Sequence, residues 1–183
     1  FTEVFDVDAH RVTFVAGCAS IEGRTSAMGR VARTLSAEGA LSAWRDERYE
    51  VHTHDGAPPA FLLERAAARY FGVRTRAVHV NGLVDTGTGA AMWIARRSPT
   101  KAIDPGMLDN LVGGGIAAGA TVAQTLAKEA WEEAGIDAAT VSSATPAGTI
   151  HVRRLQRDGL QHETIHVHDL WLPEDFTPRN TDG

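Results

Sequence analysis

The chain has 183 residues, of which 43% are hydrophobic, and its 18 basic and 23 acidic side chains give a formal net charge of −5. This length suits one large domain, or one domain with a small appendage, and the apolar content is enough for a packed core. The acidic balance argues against a nucleic-acid or anionic-membrane partner, and no stretch has the roughly 20 apolar residues of a membrane span. Cys18 is the only cysteine, so no internal disulfide can form. We therefore expect a cytoplasmic monomer or homodimer whose partner is a small molecule.

The first 75 residues are predicted to form a small α+β region. Weak alternation of apolar residues predicts a short hairpin in residues 1–15, and apolar side chains at helical spacing predict a helix over residues 22–39. A strand is predicted over residues 49–52, and a second helix over residues 61–71 with Gly72 as its stop. Two helices packed on a few strands would make an amino-terminal appendage over residues 1–75.

Residues 76–183 are predicted to form the second domain, in which strands stand before and after one helix. Residues 78–84 and 91–95 predict a β-hairpin around a glycine turn. Residues 146–153 and 163–172 predict two later strands separated by a polar loop. Strands on both sides of a helix in sequence favour an α/β sandwich.

Three glutamates lie on the helix between these strands. A glycine loop at residues 113–115 leads into the helix, which carries Glu129, Glu132 and Glu133 before Gly135 stops it. Residues spaced three and four apart share one face of a helix, so the three carboxylates would repel one another without a cation between them. Magnesium prefers carboxylate and phosphate oxygens as ligands. The pattern therefore indicates a divalent metal site.

This stretch resembles the Nudix box, in which a glycine and a glutamate precede the sequence Arg-Glu-aliphatic-x-Glu-Glu-x-Gly-aliphatic. Laid on Gly114, the box matches all three glutamates of the helix. Two positions depart from it: Ala120 stands where the box has its first glutamate, and Lys128 stands where it has arginine. Those positions support the box by charge pairing, so the departures imply weaker support around an intact set of metal-binding carboxylates.

The resemblance to the Nudix family implies an α/β/α sandwich with a mixed sheet and metal-dependent hydrolysis of a phosphoanhydride bond, with Mg²⁺ or Mn²⁺ as cofactor. Glu132 and Glu133 are the expected metal ligands, with the carbonyl of Gly113 as a further one. Glu129 lies one turn earlier on the same face. It would hold a second ion or, as the catalytic base, accept a proton from water, and the sequence does not separate these roles.

Segments outside the box resemble one branch of the family, which is related to the amino-terminal part of fungal thiamine pyrophosphokinases. These segments are residues 44–49, 64–65, 79–82, 93–97, 105–112 and 169–173. This resemblance covers most of the chain and implies hydrolysis of thiamine diphosphate, or of its oxidised analogues, to a monophosphate and phosphate. The branch accepts lysine at the position of Lys128, whereas Ala120 remains a departure.

Six further residues are candidates for substrate binding. Arg96, Arg97 and Lys101 precede the glycine loop and would grip a phosphate with their cationic groups, unless they form a solvated basic rim. Trp44 offers an aromatic face to a cationic ring, although tryptophans more often pack in a core. His79 and Asn81 are two residues apart on a predicted strand, so both point to one side of it.

Three alternative functions stay open. Pyrophosphatases of the same family act on ADP-ribose or other nucleoside diphosphate derivatives. Residues 76–80, 97–101 and 105–110 also resemble the isopentenyl diphosphate isomerases, but those enzymes need a cysteine in the box-containing half, and the only cysteine here is Cys18. A non-catalytic domain that only binds a diphosphate is the third alternative, which the intact carboxylates disfavour and Ala120 favours.

A final expectation concerns the end of the sequence. In the branch that the chain resembles, an Asp-Gly pair is followed by a glutamate-containing segment and a further helix, whereas this sequence stops at Asp182-Gly183. We expect the second domain to be incomplete at its C-terminus, so that a carboxylate from a later loop is missing from the site.

Overall fold

The computed structural model describes residues 1–100 and 105–181 and divides the chain into two compact units. The first unit comprises Phe1–Thr75, Ala117–Gly119 and Arg153–His162. The second comprises Arg76–Ile116, Ala120–Val152 and Glu163–Gly183. Within the described residues, no helix combines the length and the apolar character needed to cross a membrane.

The first unit contains one long helix and two antiparallel hairpins. Its elements are β1 (Phe5–Val7), β2 (Val12–Phe14), α1 (Ile21–Ala37), β3 (Arg48–His52), β4 (Pro59–Glu64) and the short helix α2 (Ala68–Phe71). β1 pairs with β2, and β3 pairs with β4. Ser20 starts α1 because its side chain accepts a hydrogen bond from the amide of Gly23. The predicted first hairpin, long helix and 49–52 strand are thereby confirmed.

The predicted helix over residues 61–71 is wrong in its first half. Residues up to Glu64 form strand β4, and a 3₁₀ turn at Arg65–Ala67 leads into α2. The apolar run Phe61–Leu63 suits a strand as well as a helix by periodicity alone, and its pairing with β3 decides the outcome. The helical stop is correct, because Gly72 adopts a left-handed conformation with φ of 63°.

The second unit is built on a β-sheet and the helix that carries the three glutamates. Its elements are β5 (Thr75–Asp85), β6 (Ala90–Met92), β7 (Ala95–Arg96), β8 (Leu108–Asp109), β9 (Val112–Gly115), α3 (Val122–Ala134), α4 (Ala138–Val141), β10 (Thr145–Gln156) and β11 (Gly159–Leu172), except that Thr75 and the residues of β10 and β11 within 153–162 belong to the first unit. The sheet has the order β10-β11-β5-β6, and β9 also pairs with β5. The strand predicted over residues 91–95 is shorter, because Ala95 pairs with Asp109 of β8 instead.

The two faces of this sheet differ in chemistry. Val78 and Val80 of β5 are fully buried in one apolar cluster with Leu126 and Ala130 of α3. Successive strand residues point to opposite faces, so His79, between the two valines, lies on the face away from α3. The fold is mixed α/β, as predicted, and β9 is the strand at which helix and sheet meet.

Candidate active site

Local sequence signals fix both ends of α3. At its start, the Thr121 hydroxyl accepts a hydrogen bond from the amide of Gln124 at 3.2 Å, and the Gln124 side chain accepts one from the Thr121 amide at 2.9 Å. This reciprocal pair is a capping box, which satisfies two amides that the helix leaves unpaired. At its end, Gly135 has φ of 68° and closes the helix in the left-handed conformation. The glutamates of the last turns therefore occupy defined positions.

A segment near the end of the chain also binds the last turn of α3. The Thr181 amide donates to the carbonyl of Glu132 at 2.8 Å, and the Thr181 hydroxyl donates to the carbonyl of Trp131 at 2.8 Å. The Arg179 amide donates to the carbonyl of Ala134 at 3.2 Å. Carbonyls at the end of a helix lack partners within it, so these bonds hold the turn from which Glu132 and Glu133 project.

Two of the glutamates contact the glycines of β9. The carboxylate of Glu133 accepts a hydrogen bond from the Gly113 amide at 2.8 Å. Glu129 lies so close to Gly114 that a Cβ at position 114 would stand 2.6 Å from its Oε2 atom. Glycine is therefore required at position 114 to leave space for the Glu129 carboxylate.

The Lys128 side chain bridges two of the three glutamates. Its ammonium donates to Glu129 at 2.9 Å and to Glu132 at 2.8 Å. The hydrogen bond to Glu132 raises the pKa of Lys128, burial opposes the shift, and the bond to Glu129 adds to it. Lys128 thus stays cationic and neutralises part of the charge that the glutamates concentrate.

The donor set fits a hard divalent cation. Glu129, Glu132 and Glu133 supply carboxylate oxygens, and Gly113 and Gly114 leave the backbone of β9 open to close approach. In residues 1–100 and 105–181, however, no three acidic, histidine or cysteine side chains converge into a ready metal cage. The carboxylates of Glu129 and Glu132 instead accept hydrogen bonds from the Lys128 ammonium. Metal binding would require the Lys128 ammonium to withdraw.

Replacing Lys128 with methionine tests this competition. The variant removes the ammonium but keeps a long side chain, so we expect Mg²⁺ or Mn²⁺ to raise its Tm more than that of the wild type. Lys128 is 61% exposed, and an exposed ion pair contributes about 1 kcal/mol or less, which corresponds to an affinity gain of up to about fivefold. Lys128→Arg, which keeps the charge, is the control for thermal shift measurements. An equal or smaller metal-induced shift in Lys128→Met would contradict the competition.

A chain of polar side chains runs along the opposite face of the sheet. The His79 Nδ1 atom lies 2.7 Å from the Asn110 side-chain oxygen. The Asn110 amide nitrogen donates to Asn81 at 2.6 Å, and the Asn81 amide nitrogen donates to Asp169 at 2.8 Å. Beside this chain, Arg97 donates to Asp109 at 2.8 Å. The structure thus brings His79 and Asn81 together, as their spacing predicted.

Arg96 and Trp44, two further predicted substrate residues, each have a hydrogen-bond partner of their own. The guanidinium of Arg96 donates to the carbonyl of Gly106 at 2.9 Å. Lys101 lies outside the described residues. Trp44 belongs to the first unit, where its indole nitrogen donates to Asp46 at 2.7 Å. Within the described residues, the side-chain hydrogen bond of Arg96 goes to Gly106 and not to a glutamate of α3.

The sequence analysis assigned no role to three residues: Asn110 and Asp169, which belong to the polar chain, and Asp109, which lies beside it. Asn110 and Asp109 form an adjacent polar pair between Leu108 and Leu111, and this pair was a detectable signal. Asp169 lay within a segment of family resemblance but carried no assigned role. Its link to Asn81 spans 88 residues of sequence, so no local pattern could reveal it.

Two family models match the chain. The first, described as a domain of unknown function (DUF4743), matches residues 1–75. The second, described as the NUDIX domain, matches residues 73–183 and includes both β9 and α3.

Two curated proteins from Arabidopsis thaliana are similar to most of the chain. Nudix hydrolase 20, chloroplastic, is 40% identical over 162 residues, which cover 88% of this chain and 43% of that protein. Nudix hydrolase 24, chloroplastic, is 40% identical over 162 residues, which cover 88% of this chain and 44% of that protein. The chain thus spans less than half the length of these relatives.

A solved structure supports the same fold. The crystal structure of DR0079 from Deinococcus radiodurans matches with a TM-score of 0.55 and 26% identity, and the match covers 74% of this chain and 77% of that one.

Proposed function

The chain belongs to the NUDIX domain family, and from this premise we propose that it hydrolyses a phosphoanhydride bond of a small diphosphate with the help of a divalent cation, Mg²⁺ or Mn²⁺. One observation carries the proposal: the box carboxylates gather where α3 meets the glycines of β9. Glu133 binds the Gly113 amide, Glu129 fills the space over Gly114, and a lysine ammonium balances the charge between two of them.

The glutamates of α3 and the backbone of β9 would position the cation and the attacking water. Glu132 and Glu133, with the backbone carbonyl of Gly113, would hold the cation, which supplies neutralisation of phosphate oxygens and activation of water. The bond from the Gly113 amide keeps Glu133 against β9. Glu129 is only 16% exposed and stands over Gly114, where it would either complete the ligand set or accept a proton from water.

Six residues that the sequence suggested, of which Lys101 lies outside the described residues, are our candidates for substrate contacts. Arg96, Arg97 and Lys101 would attract the phosphate that is not hydrolysed, although the Arg97 guanidinium is already engaged by Asp109. His79 would contact the substrate on the sheet face away from α3, and Asn81 would support it through Asn110. Trp44, which belongs to the first unit, stays a candidate on the sequence alone.

The substrate itself is the finer part of the proposal. Thiamine diphosphate or an oxidised analogue is our first candidate, and it rests on the sequence resemblance alone. ADP-ribose and other nucleoside diphosphate derivatives are the second candidate class. An isomerase acting on isopentenyl diphosphate and a binding domain without activity complete the set. Cytoplasmic location stays a prediction, since the two Arabidopsis relatives are named chloroplastic. A monomeric or dimeric state is a prediction as well.

A panel followed by ³¹P NMR separates these candidates. The chain would be incubated with Mg²⁺ and, in turn, with thiamine diphosphate, ADP-ribose, ATP and isopentenyl diphosphate. We expect monophosphate signals to replace diphosphate signals for at least one compound, and only when the cation is present. Isomerisation would leave the diphosphate ³¹P signals in place but alter the ¹H spectrum. Binding without product, for every compound, would support the non-catalytic alternative and contradict the proposal.

A further inference from the structure

The carboxylate of Asp169 fixes the direction of every hydrogen bond in the polar chain. A carboxylate accepts hydrogen bonds and donates none, so Asn81 presents its amide nitrogen to Asp169 at 2.8 Å. Its oxygen is then left to accept from the Asn110 amide nitrogen at 2.6 Å. Asn110 in turn presents its oxygen to His79 Nδ1 at 2.7 Å. Because that oxygen can only accept, Nδ1 of His79 carries the proton.

A second carboxylate favours the same tautomer. The Oδ1 atom of Asp109 lies 4.0 Å from His79 Nδ1, so a proton on Nδ1 is electrostatically favoured there. When the other ring nitrogen of a neutral histidine carries the proton, Nε2 is an acceptor. Across the described residues, no hydrogen bond reaches His79 Nε2, and the side chain is 22% exposed. An acceptor atom is thus held ready beside the candidate site.

The His79 ring lies against Gly113 of β9. A Cβ on Gly113 would stand 3.2 Å from His79 Nε2, whereas a Cβ on Gly114 would overlap Glu129. Successive strand residues face opposite sides, so the two side chains flank β9 from its two faces. Gly113 lies next to both groups, since its amide donates to Glu133 and the His79 ring lies against its Cα.

We propose that His79 determines specificity by accepting, at Nε2, a hydrogen bond from a hydroxyl or amino group on the part of the diphosphate that is not hydrolysed. Asp169 is a positioning residue that acts through Asn81 and Asn110. The inference rests on the proposed function. It gives His79 Nδ1 no role in donating to phosphate oxygens, because that nitrogen is hydrogen-bonded to Asn110. Diphosphates that carry a hydrogen-bond donor are therefore preferred over those that carry acceptors alone.

NMR of the ¹⁵N-labelled chain reads the tautomer directly. Long-range ¹H–¹⁵N correlations, with His79 assigned from its absence in His79→Gln, are expected to show a protonated Nδ1 and an unprotonated Nε2. In Asp169→Leu no carboxylate fixes the orientation of the Asn81 and Asn110 amides, so both tautomers of His79 should be populated. Asp169→Asn, which keeps the volume, serves if the leucine variant does not fold. A wild-type ring that carries a proton on Nε2, with or without one on Nδ1, would overturn the inference.

Two uncleavable ligands test the chemistry of the partner group. Adenosine 5′-(α,β-methylene)diphosphate carries the hydroxyl and amino groups of its nucleoside, whereas methylenediphosphonate has no nucleoside and therefore none of these groups. At saturation with Mg²⁺, verified by calorimetry, the first should move the His79 Nε2 signal in the direction of an accepted hydrogen bond, and the second should not. Equal movement with both, which would indicate a phosphate contact, or movement with neither overturns the inference.

Kinetics separate this role from a structural one. With a compound that the panel shows to be hydrolysed, His79→Met should raise KM by roughly two- to tenfold, the value of one hydrogen bond, while kcat changes little. His79→Gln places an oxygen near the Nε2 position and should restore most of the loss. An unchanged KM in His79→Met contradicts the inference. Should no compound be hydrolysed, the proposed function fails, and the tautomer and ligand titrations still decide the role of His79.

Discussion

Replacing Glu132 or Glu133 with glutamine is expected to lower kcat/KM by roughly a hundredfold or more. Removing groups that only support a metal ligand typically costs 10- to 100-fold, so loss of a ligand itself should cost at least as much. Glutamine keeps the shape of the side chain but removes its charge. Because Glu132 is 31% exposed, we expect its replacement to change Tm by only about 2 °C.

A matched control uses an acid remote from the site in sequence. Glu38 is an exposed residue at the end of α1 in the first unit, and Glu38→Gln should leave kcat/KM unchanged. Circular dichroism and Tm establish that each variant is folded. Near wild-type turnover in Glu132→Gln or Glu133→Gln at saturating Mg²⁺ would show that the metal assignment is wrong.

Replacing Gly114 with alanine should lower activity by roughly 10- to 100-fold, although the residue has no side chain to contribute. The added Cβ would overlap the carboxyl end of Glu129. Since that end of the side chain is flexible, Glu129 can turn away at small cost in stability, and the loss should appear in activity. The measurement is kcat/KM together with Tm.

Two comparisons show whether the effect runs through Glu129. In a double-mutant cycle, Gly114→Ala should add little to Glu129→Ala, because the group that it displaces is already absent. Gly29→Ala in α1 is the control, since its Cβ would stand 3.7 Å from the nearest atom, a guanidinium nitrogen of Arg33. Additive losses in the cycle would place the effect of Gly114 in the backbone of β9 instead.

The candidate carboxylates could be predicted from sequence because their signals are local. Thr121 and Gly135 mark the two ends of α3, and the spacing of the glutamates follows directly from helix geometry. The error at residues 61–71 has the opposite origin. The run Phe61–Leu63 becomes a strand because β3 is available to pair with it, and that pairing depends on the fold of the whole unit.

The polar chain shows where sequence reasoning stops. His79 and Asn81 could be placed on one side of a strand by their alternation alone. Their partners lie far along the sequence, with Asn110 29 residues from Asn81 and Asp169 88 residues from it. The direction of these hydrogen bonds is set by the Asp169 carboxylate at one end of the series of polar side chains. The tautomer of His79 therefore follows only from the assembled structure.

Equilibrium binding of Mn²⁺, followed by electron paramagnetic resonance, tests the central claim most directly, because it needs no knowledge of the substrate. The account predicts saturable binding to the wild type, weakened by at least about tenfold in Glu132→Gln and in Glu133→Gln and unchanged in Glu38→Gln. Binding of the same strength in all four proteins would contradict it, because the cation would then lie away from the carboxylates of α3.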